Sequence, residues 1–145
     1  MSKNICVRQI VKIDGLVGDR HNEIQLQMIT DIAERIRHNI ATETANGKVE
    51  LYYTGVLQKT IDITVSNVTV ENITNGKQVV IQIVDSSPDE YQIDELRLYS
   101  AVSGYDGSGS SALYSVYTLD TPITKTADQA LNIKWIIQFV KGGAS

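Results

Sequence analysis

Two periodicities divide the chain. Between Ile24 and Ile40 apolar residues return at every fourth position, at Ile24, Met28, Ile32, Ile36 and Ile40, and Ile29 and Ala33 widen the stripe. A turn of 3.6 residues brings such positions to one face, so the pattern predicts an amphipathic helix over 22–40, roughly 28 Å long. Asn22, three residues before Gln25, is the candidate N-cap; Glu23 suits the positive end of the helix dipole, and Arg35, Arg37 and His38 the negative end. Gln27, Asp31, Glu34 and Arg35 form the wet face. The stripe is rich in isoleucine, which is a middling helix former, so tertiary packing must hold this helix in place.

From Val49 onward the period is two. Val49, Leu51 and Tyr53 alternate with Glu50, Tyr52 and Thr54, and Ile61, Ile63 and Val65 with Asp62, Thr64 and Ser66. Asn75-Gly76 separates the run Val68 to Ile73 from Val79 to Val84, which is a hairpin signal. Residues 93–99 and 112–119 read as two further strands, joined by a small, polar, flexible loop over 100–111. In the last strand Leu131, Ile133, Trp135, Ile137 and Phe139 share one face, and Asn132, Lys134, Ile136 and Gln138 the other. Ile136 and Val140 make that second face partly apolar, as expected of a surface half covered by a neighbour or a partner chain. The opening segment, Ile5 to Ile13, reads as a strand or an extended arm ending at the turn signal Asp14-Gly15.

Six or seven strands and one helix predict an α+β, mainly β fold. The expectation is a single antiparallel β-sandwich domain over 1–145, jelly-roll-like, with the helix packed on it between the first and second strands. Within it, 1–18 would be strand or arm, 22–40 helix, 49–140 antiparallel strands and 141–145 a tail. A chain of 145 residues suits one domain, and 42% hydrophobic with 21% charged residues is the balance of a packed protein, not a disordered one.

Charge and cysteine usage narrow the classes further. A net charge of −4, with 13 Lys and Arg scattered along the chain, leaves no basic stripe and argues against direct nucleic-acid binding. The one cysteine, Cys6, excludes an intrachain disulfide and, in the apolar run Ile5-Cys6-Val7, reads as a structural thiol. Met1-Ser2-Lys3-Asn4 lacks the apolar run of a signal peptide, and no stretch reaches the roughly 18 apolar residues of a membrane span, so a soluble intracellular setting and no membrane partner are expected.

Catalysis needs a nucleophile or an acid–base pair converging in a pocket, and the sequence offers little for one. His21 and His38 are 17 apart, without zinc-pair spacing, and His21 with Asp19 and Glu23 reads as helix-entry charge. Asp89, Glu90, Asp94 and Glu95 flank Tyr91 and read as a solvated acidic turn after Pro88 before a hard-cation site. Asp106-Gly107-Ser108-Gly109-Ser110 lacks the further acidic ligands of a calcium loop, and no phosphate-cradling glycine motif occurs. Asn67-Val68-Thr69 and Asn72-Ile73-Thr74 match the glycosylation pattern and read as β-forming threonines. Of the tyrosines crowding the C-terminal half, Tyr91, Tyr99, Tyr114 and Tyr117 read as strand packing and Tyr105 as exposed in the loop. No catalytic residue, cofactor or metal ligand is predicted.

The C-terminal third runs Ile93-Asp94-Glu95-Leu96-Arg97-Leu98-Tyr99, a Gly/Ser loop, Ala112-Leu113-Tyr114-Ser115-Val116, Pro122-Ile123-Thr124-Lys125 and Leu131-Asn132-Ile133-Lys134-Trp135-Ile136-Ile137-Gln138-Phe139. This order resembles a β-module of tailed-virus virion proteins, among them tail-collar, fibre and capsid-associated components, although the loop is longer than the tail-collar type and the helical region carries no match. The resemblance implies a non-enzymatic virion structural protein, a homo-oligomer bound to other virion proteins, acting as capsid decoration or cement or as a tail or neck part. It would assemble in the host cytoplasm. Tyr105 and Lys125 become contact candidates beside Ile136 and Val140, and Trp135 and Phe139 core. The alternative is a carbohydrate- or ligand-binding β-sandwich using Tyr105 and the acidic cluster.

Overall fold

A computed structural model describes residues 3–13, 26–103 and 111–141. In chain order, β1 (Lys3–Ile13) is followed by α1 (Leu26–Ile40), β2 (Gly47–Tyr53), β3 (Val56–Ile63), β4 (Val68–Ile73), β5 (Gly76–Asp85), β6 (Tyr91–Ser103), β7 (Ser111–Lys125) and β8 (Leu131–Lys141). They form two four-stranded sheets, β1-β8-β5-β4 and β3-β2-β6-β7, whose buried residues join one core. The mainly β, two-sheet sandwich with one helix after the first strand is thus observed, with eight strands among the described residues where the sequence predicts six or seven. The wiring is not that of a jelly roll: the pairs β2–β3, β4–β5 and β6–β7 are hairpins that each stay within one sheet. Against the all-antiparallel expectation, β1 runs parallel to β8, Lys3 opposite Leu131 through Ile13 opposite Lys141. The first segment is therefore a strand and not a free arm.

Alternation fixes which side of each strand is inside. Leu131, Ile133, Trp135, Ile137 and Phe139 are all buried, as are Val79, Ile81 and Ile83 from the neighbouring strand. The facing sheet contributes Val49, Leu51, Ile63, Ile93, Leu96 and Leu98, each at most 1% exposed. Each such aliphatic side chain withdrawn from water stabilises the fold by about 1.5–3 kcal/mol before conformational entropy is subtracted.

The helix packs against β5, β4 and β8 of one sheet and β6 and β2 of the other. Its buried positions are Ile29, Ala33 and Ile40, with Ile32 and Ile36 half-buried and Met28 53% exposed. At about 100° per residue, steps of four drift by about 40° each, so Met28 lies about 120° from Ile40, whereas Ile29 and Ala33 lie within about 20° of it. The spacing-of-four stripe thus leaves the core at its N-terminal end. The 15 described helical residues, Leu26–Ile40, span about 22 Å, and the expected start of the helix, with Asn22 and Ile24, lies outside the described residues.

Tight turns set the hairpins. Asn75, at φ 57°, supplies the left-handed residue between β4 and β5, and Gly76 follows because a Cβ there would overlap the Phe139 carbonyl oxygen. Thr54 at φ 48° and Gly55 at φ 80° turn β2 into β3, a hairpin with no strong dipeptide signal, so that β3 starts at Val56 and not near Ile61. Left-handed backbone is costly for a β-branched residue; the Thr54 N–H donates to Asp94 Oδ2 at 3.1 Å and its hydroxyl to the Tyr53 carbonyl at 2.8 Å. Gly47 is required for a second close approach, since a Cβ would overlap the Ile40 carbonyl at the helix end and press on that of Tyr99. β6 continues to Ser103 and β7 starts at Ser111, so 100–103 and 111 of the expected loop are strand, and 104–110 lie outside the described residues.

Candidate interaction surface

The solvent face of the β3-β2-β6-β7 sheet carries the most organised set of side chains on the described surface. Strand alternation that buries Val49 and Leu51 turns Lys48, Glu50 and Tyr52 outward; the same alternation on β6 turns out Glu95, Arg97 and Tyr99. Antiparallel register then sets Lys48 opposite Tyr99, Glu50 opposite Arg97 and Tyr52 opposite Glu95. The Arg97 guanidinium lies 4.0 Å from the Tyr52 ring centroid, and the Lys48 ammonium 5.0 Å from that of Tyr99. Glu50 accepts the Tyr52 hydroxyl at 2.7 Å and pairs with Lys48 at 3.1 Å, while Arg97 Nε donates to Glu95 at 2.5 Å.

These contacts leave a clear electrostatic imprint. Partial burial of Glu50 acts to raise its pKa, but the hydrogen bonds of Tyr52 and Lys48 and the charge of Lys48 outweigh it and hold the carboxyl below its usual range. The Tyr52 phenol is pushed up chiefly by its bond to Glu50, and Arg97 chiefly by Glu95. The result is two cations, two anions and two aromatic rings held in fixed mutual positions.

This face continues onto the edge strand. Leu113 pairs with Tyr99 and Val116 with Arg97, and the two aliphatic side chains are 49% and 48% exposed. Among the described residues β7 has no strand on its far side, and from Ser111 to Leu119 it bears no charge. Lysines, prolines and bulges commonly blunt such edges. Here Pro122 comes only beyond the exposed aliphatic pair, and the register shifts against β6, one of them between Leu98 and Tyr99, are the only such device along this stretch. β3, the opposite edge, adds exposed Val56 and Leu57 at the Thr54-Gly55 turn.

Lys125 is placed otherwise than a contact residue would be. It is 3% exposed, with its ammonium under the segment that joins β5 to β6. It donates to the carbonyl oxygens of Ser87 at 2.5 Å, Asp89 at 2.8 Å and Thr126 at 3.3 Å, and stands 5.8 Å from the Tyr91 ring centroid. The Tyr91 hydroxyl donates to Asp85 at 2.5 Å, and the Ser87 N–H to the same carboxylate at 3.0 Å. Burial acts to raise the pKa of Asp85, yet these bonds and nearby Lys59 hold it below the ordinary value; the Tyr91 phenol is pushed strongly upward, first by burial and then by Asp85. Lys125 is a structural clamp of this turn.

Three of the four carboxylates of the acidic cluster are engaged in the same way. Asp89 pairs with Lys59 at 2.6 Å, Asp94 receives the Thr54 N–H, and Glu95 holds Arg97. Asn67, of the first glycosylation-like triplet, accepts the Thr64 N–H and hydroxyl, each at 2.8 Å, and closes the turn before β4. Among the described residues no group of three or more His, Cys, Asp and Glu side chains is placed to hold a metal ion, and no helix is long and apolar enough to cross a membrane.

The remaining sites sort by burial. Trp135 and Phe139 are core, and Tyr114 and Tyr117 pack on it. Ile136 and Val140 are half-buried on the outer face of the first sheet, where Ile136 lies opposite buried Val80 and Gln138 donates to Gln78 at 2.8 Å. Tyr105, His21, Asp19, Glu23 and 106–110 lie outside the described residues, and Cys6 stands opposite Lys134 in the β1–β8 register.

Sequence reasoning missed the Tyr52–Arg97–Tyr99 face. Its elements were visible as the polar positions of two strands, but their juxtaposition depends on a register 45 residues apart, which periodicity does not encode. No family model, curated protein or solved structure matches this chain.

Proposed function

We propose that the chain is a non-enzymatic structural subunit of a tailed-virus particle. It acts as a capsid decoration or cement, or as a tail or neck component, and assembles with copies of itself and with other particle proteins in the host cytoplasm. The observation that carries the assembly reading is the pair Leu113 and Val116, half exposed on an uncharged open edge beside the fixed Arg97, Tyr52 and Tyr99 side chains. Tyrosine and arginine are the residues that most often anchor protein interfaces, and ordering them beforehand lowers the entropy lost on binding. Lys48 and Arg97 balance Glu50 and Glu95, so the face is self-complementary in charge and suits a two-fold contact between identical copies. The viral setting is supported by the order of the C-terminal third, which forms β6, β7 and β8.

The ligand-binding alternative has less support, because the carboxylates of Asp89, Asp94 and Glu95 already have partners and the rings of Tyr52 and Tyr99 are already covered by cations. Multi-angle light scattering of the purified chain across about 1–200 µM tests the assembly. Concentration-dependent association is expected, and Val116→Asp, which places a carboxylate on the exposed patch, should abolish it with the melting temperature unchanged. A chain that stays monomeric throughout and does not bind purified particles would refute the proposal. Labelled protein imaged on particles by electron microscopy would separate capsid from tail placement.

A further inference from the structure

β1, like β7 on β6, is held almost wholly by one neighbouring strand. α1 touches five strands in two sheets, and β5 and β8 are packed by neighbours on both sides and by the helix. Among the described residues, β1 makes extensive contact with β8 alone. It covers that strand along its whole length, eleven residues in unbroken parallel register, at the edge of its sheet. Withdrawing it would leave the rest of both sheets and the helix paired as they are, and would expose one long hydrogen-bonding edge on β8. Twelve residues, 14–25, separate β1 from α1. Fully extended they reach about 40 Å, roughly the width of a domain of this size.

We propose that β1 is exchanged between copies, the β1 strand of one subunit lying on β8 of a neighbouring copy in the register that it has here. An exchanged strand makes the same backbone hydrogen bonds and the same residue pairs as one folded back on its own chain, so the two arrangements differ chiefly in association entropy and in the contacts between subunits. The aliphatic and Tyr/Arg surface beyond β6 would supply such contacts, and to that extent the inference rests on the assembly reading above. A strand passed from subunit to subunit would close a ring, or extend along a lattice, through a continuous sheet and not only through side chains.

The single cysteine makes the exchange directly testable. Cys6 is opposite Lys134, which is exposed, and neighbouring strands lie about 4.8 Å apart, within the Cα separation that a disulfide spans. The full chain carrying Lys134→Cys is oxidised at about 100 µM and run on a denaturing, non-reducing gel beside its light-scattering trace. Exchange predicts covalent dimers and higher multimers that collapse on reduction, vanish when Cys6→Ser is added, and are absent when the new thiol is at exposed Thr69, on the far edge of the same sheet. Intrachain disulfides in a sample that scatters as an assembly would overturn the exchange and leave assembly standing. Intrachain disulfides in a sample that scatters as a monomer would overturn both. Equal ladders from the Thr69→Cys control, or no disulfide at all, would likewise overturn the exchange, the last by removing the β1–β8 register on which it depends.

Discussion

Replacing Lys125 by methionine separates a structural clamp from a contact residue. Methionine keeps the unbranched stem but removes the ammonium, and the Ser87, Asp89 and Thr126 carbonyls lose their shared donor. Each charge-assisted bond is worth about 1.5–3 kcal/mol when its acceptor stays dry. Ser87 is half-buried and Asp89 exposed, so water recovers part of this, leaving about 1–1.5 kcal/mol for each of the two shorter bonds. The Tyr91 ring adds about 0.5–1 kcal/mol. The opposing effect is relief of the ammonium's desolvation, but three oxygens already compensate most of that in the folded state, whereas the carbonyls cannot be removed by the substitution. The net expectation is a loss of about 3 kcal/mol, a large part of the stability of a domain this size. With a urea dependence of about 2 kcal/mol per molar, the midpoint falls by about 1.5 M. A midpoint that is unchanged or higher, especially together with weakened self-association, would refute the clamp and restore Lys125 as a surface contact.

Four further outcomes follow from the same packing. Asp85, whose folded pKa lies below its ordinary value, gives stability that is complete above the unfolded carboxyl pKa of about 3.9 and is lost as pH falls through the folded one; thermal melts from pH 6 to pH 2 should show that decline, and Asp85→Asn should flatten it. Tyr91, pushed the other way, should make stability fall as pH rises above about 10, and Tyr91→Phe should remove that dependence. Gly47→Ala forces a methyl group into the Ile40 carbonyl and should cost about 3 kcal/mol or more by chemical denaturation, whereas Gly55→Asn, at φ 80° in open space, should cost under about 1 kcal/mol. Trp135, the only tryptophan, is fully buried with an indole N–H that has no partner among the described residues; its emission should be strongly blue-shifted and move to the red on unfolding. Trp135→Ala should cost about 3–5 kcal/mol, but Trp135→Phe far less, because it also removes a buried unpaired donor worth about 1–3 kcal/mol.

What the sequence disclosed and what it hid follow from the range of each interaction. The alternation of Leu131 to Phe139 and of Val49 to Leu51 is local, and it was enough to predict strands, core faces and a sandwich. The Asn75 hairpin was equally local. The helix stripe was read with a period of four where the backbone has 3.6, which misplaced Met28 but not the element. Lys125 is a contact candidate only through the resemblance of the C-terminal third, whereas the fold brings three carbonyl oxygens around its ammonium, an arrangement that local sequence does not encode.

Register connects those lessons to the candidate surface. A slip of one residue between β2 and β6 would turn Tyr52 and Arg97 to opposite sides of the sheet and send Leu51 to the solvent, so burial of Leu51 and Leu96, paired across the two strands, fixes the outer face as firmly as the inner one. The same holds one strand further, where Leu98 opposite Ser115, the following register shift and Leu113 opposite Tyr99 leave Leu113 and Val116 exposed on the face that carries the cations. The exposed pattern therefore depends on the core packing, and substitutions at Leu96 or Leu98 should disturb assembly even though neither residue is exposed to a partner. Assembly measured on Leu98→Ala at a temperature where it remains folded should fall below that of the parent chain. Unaltered association would mean that the interface lies elsewhere on the molecule.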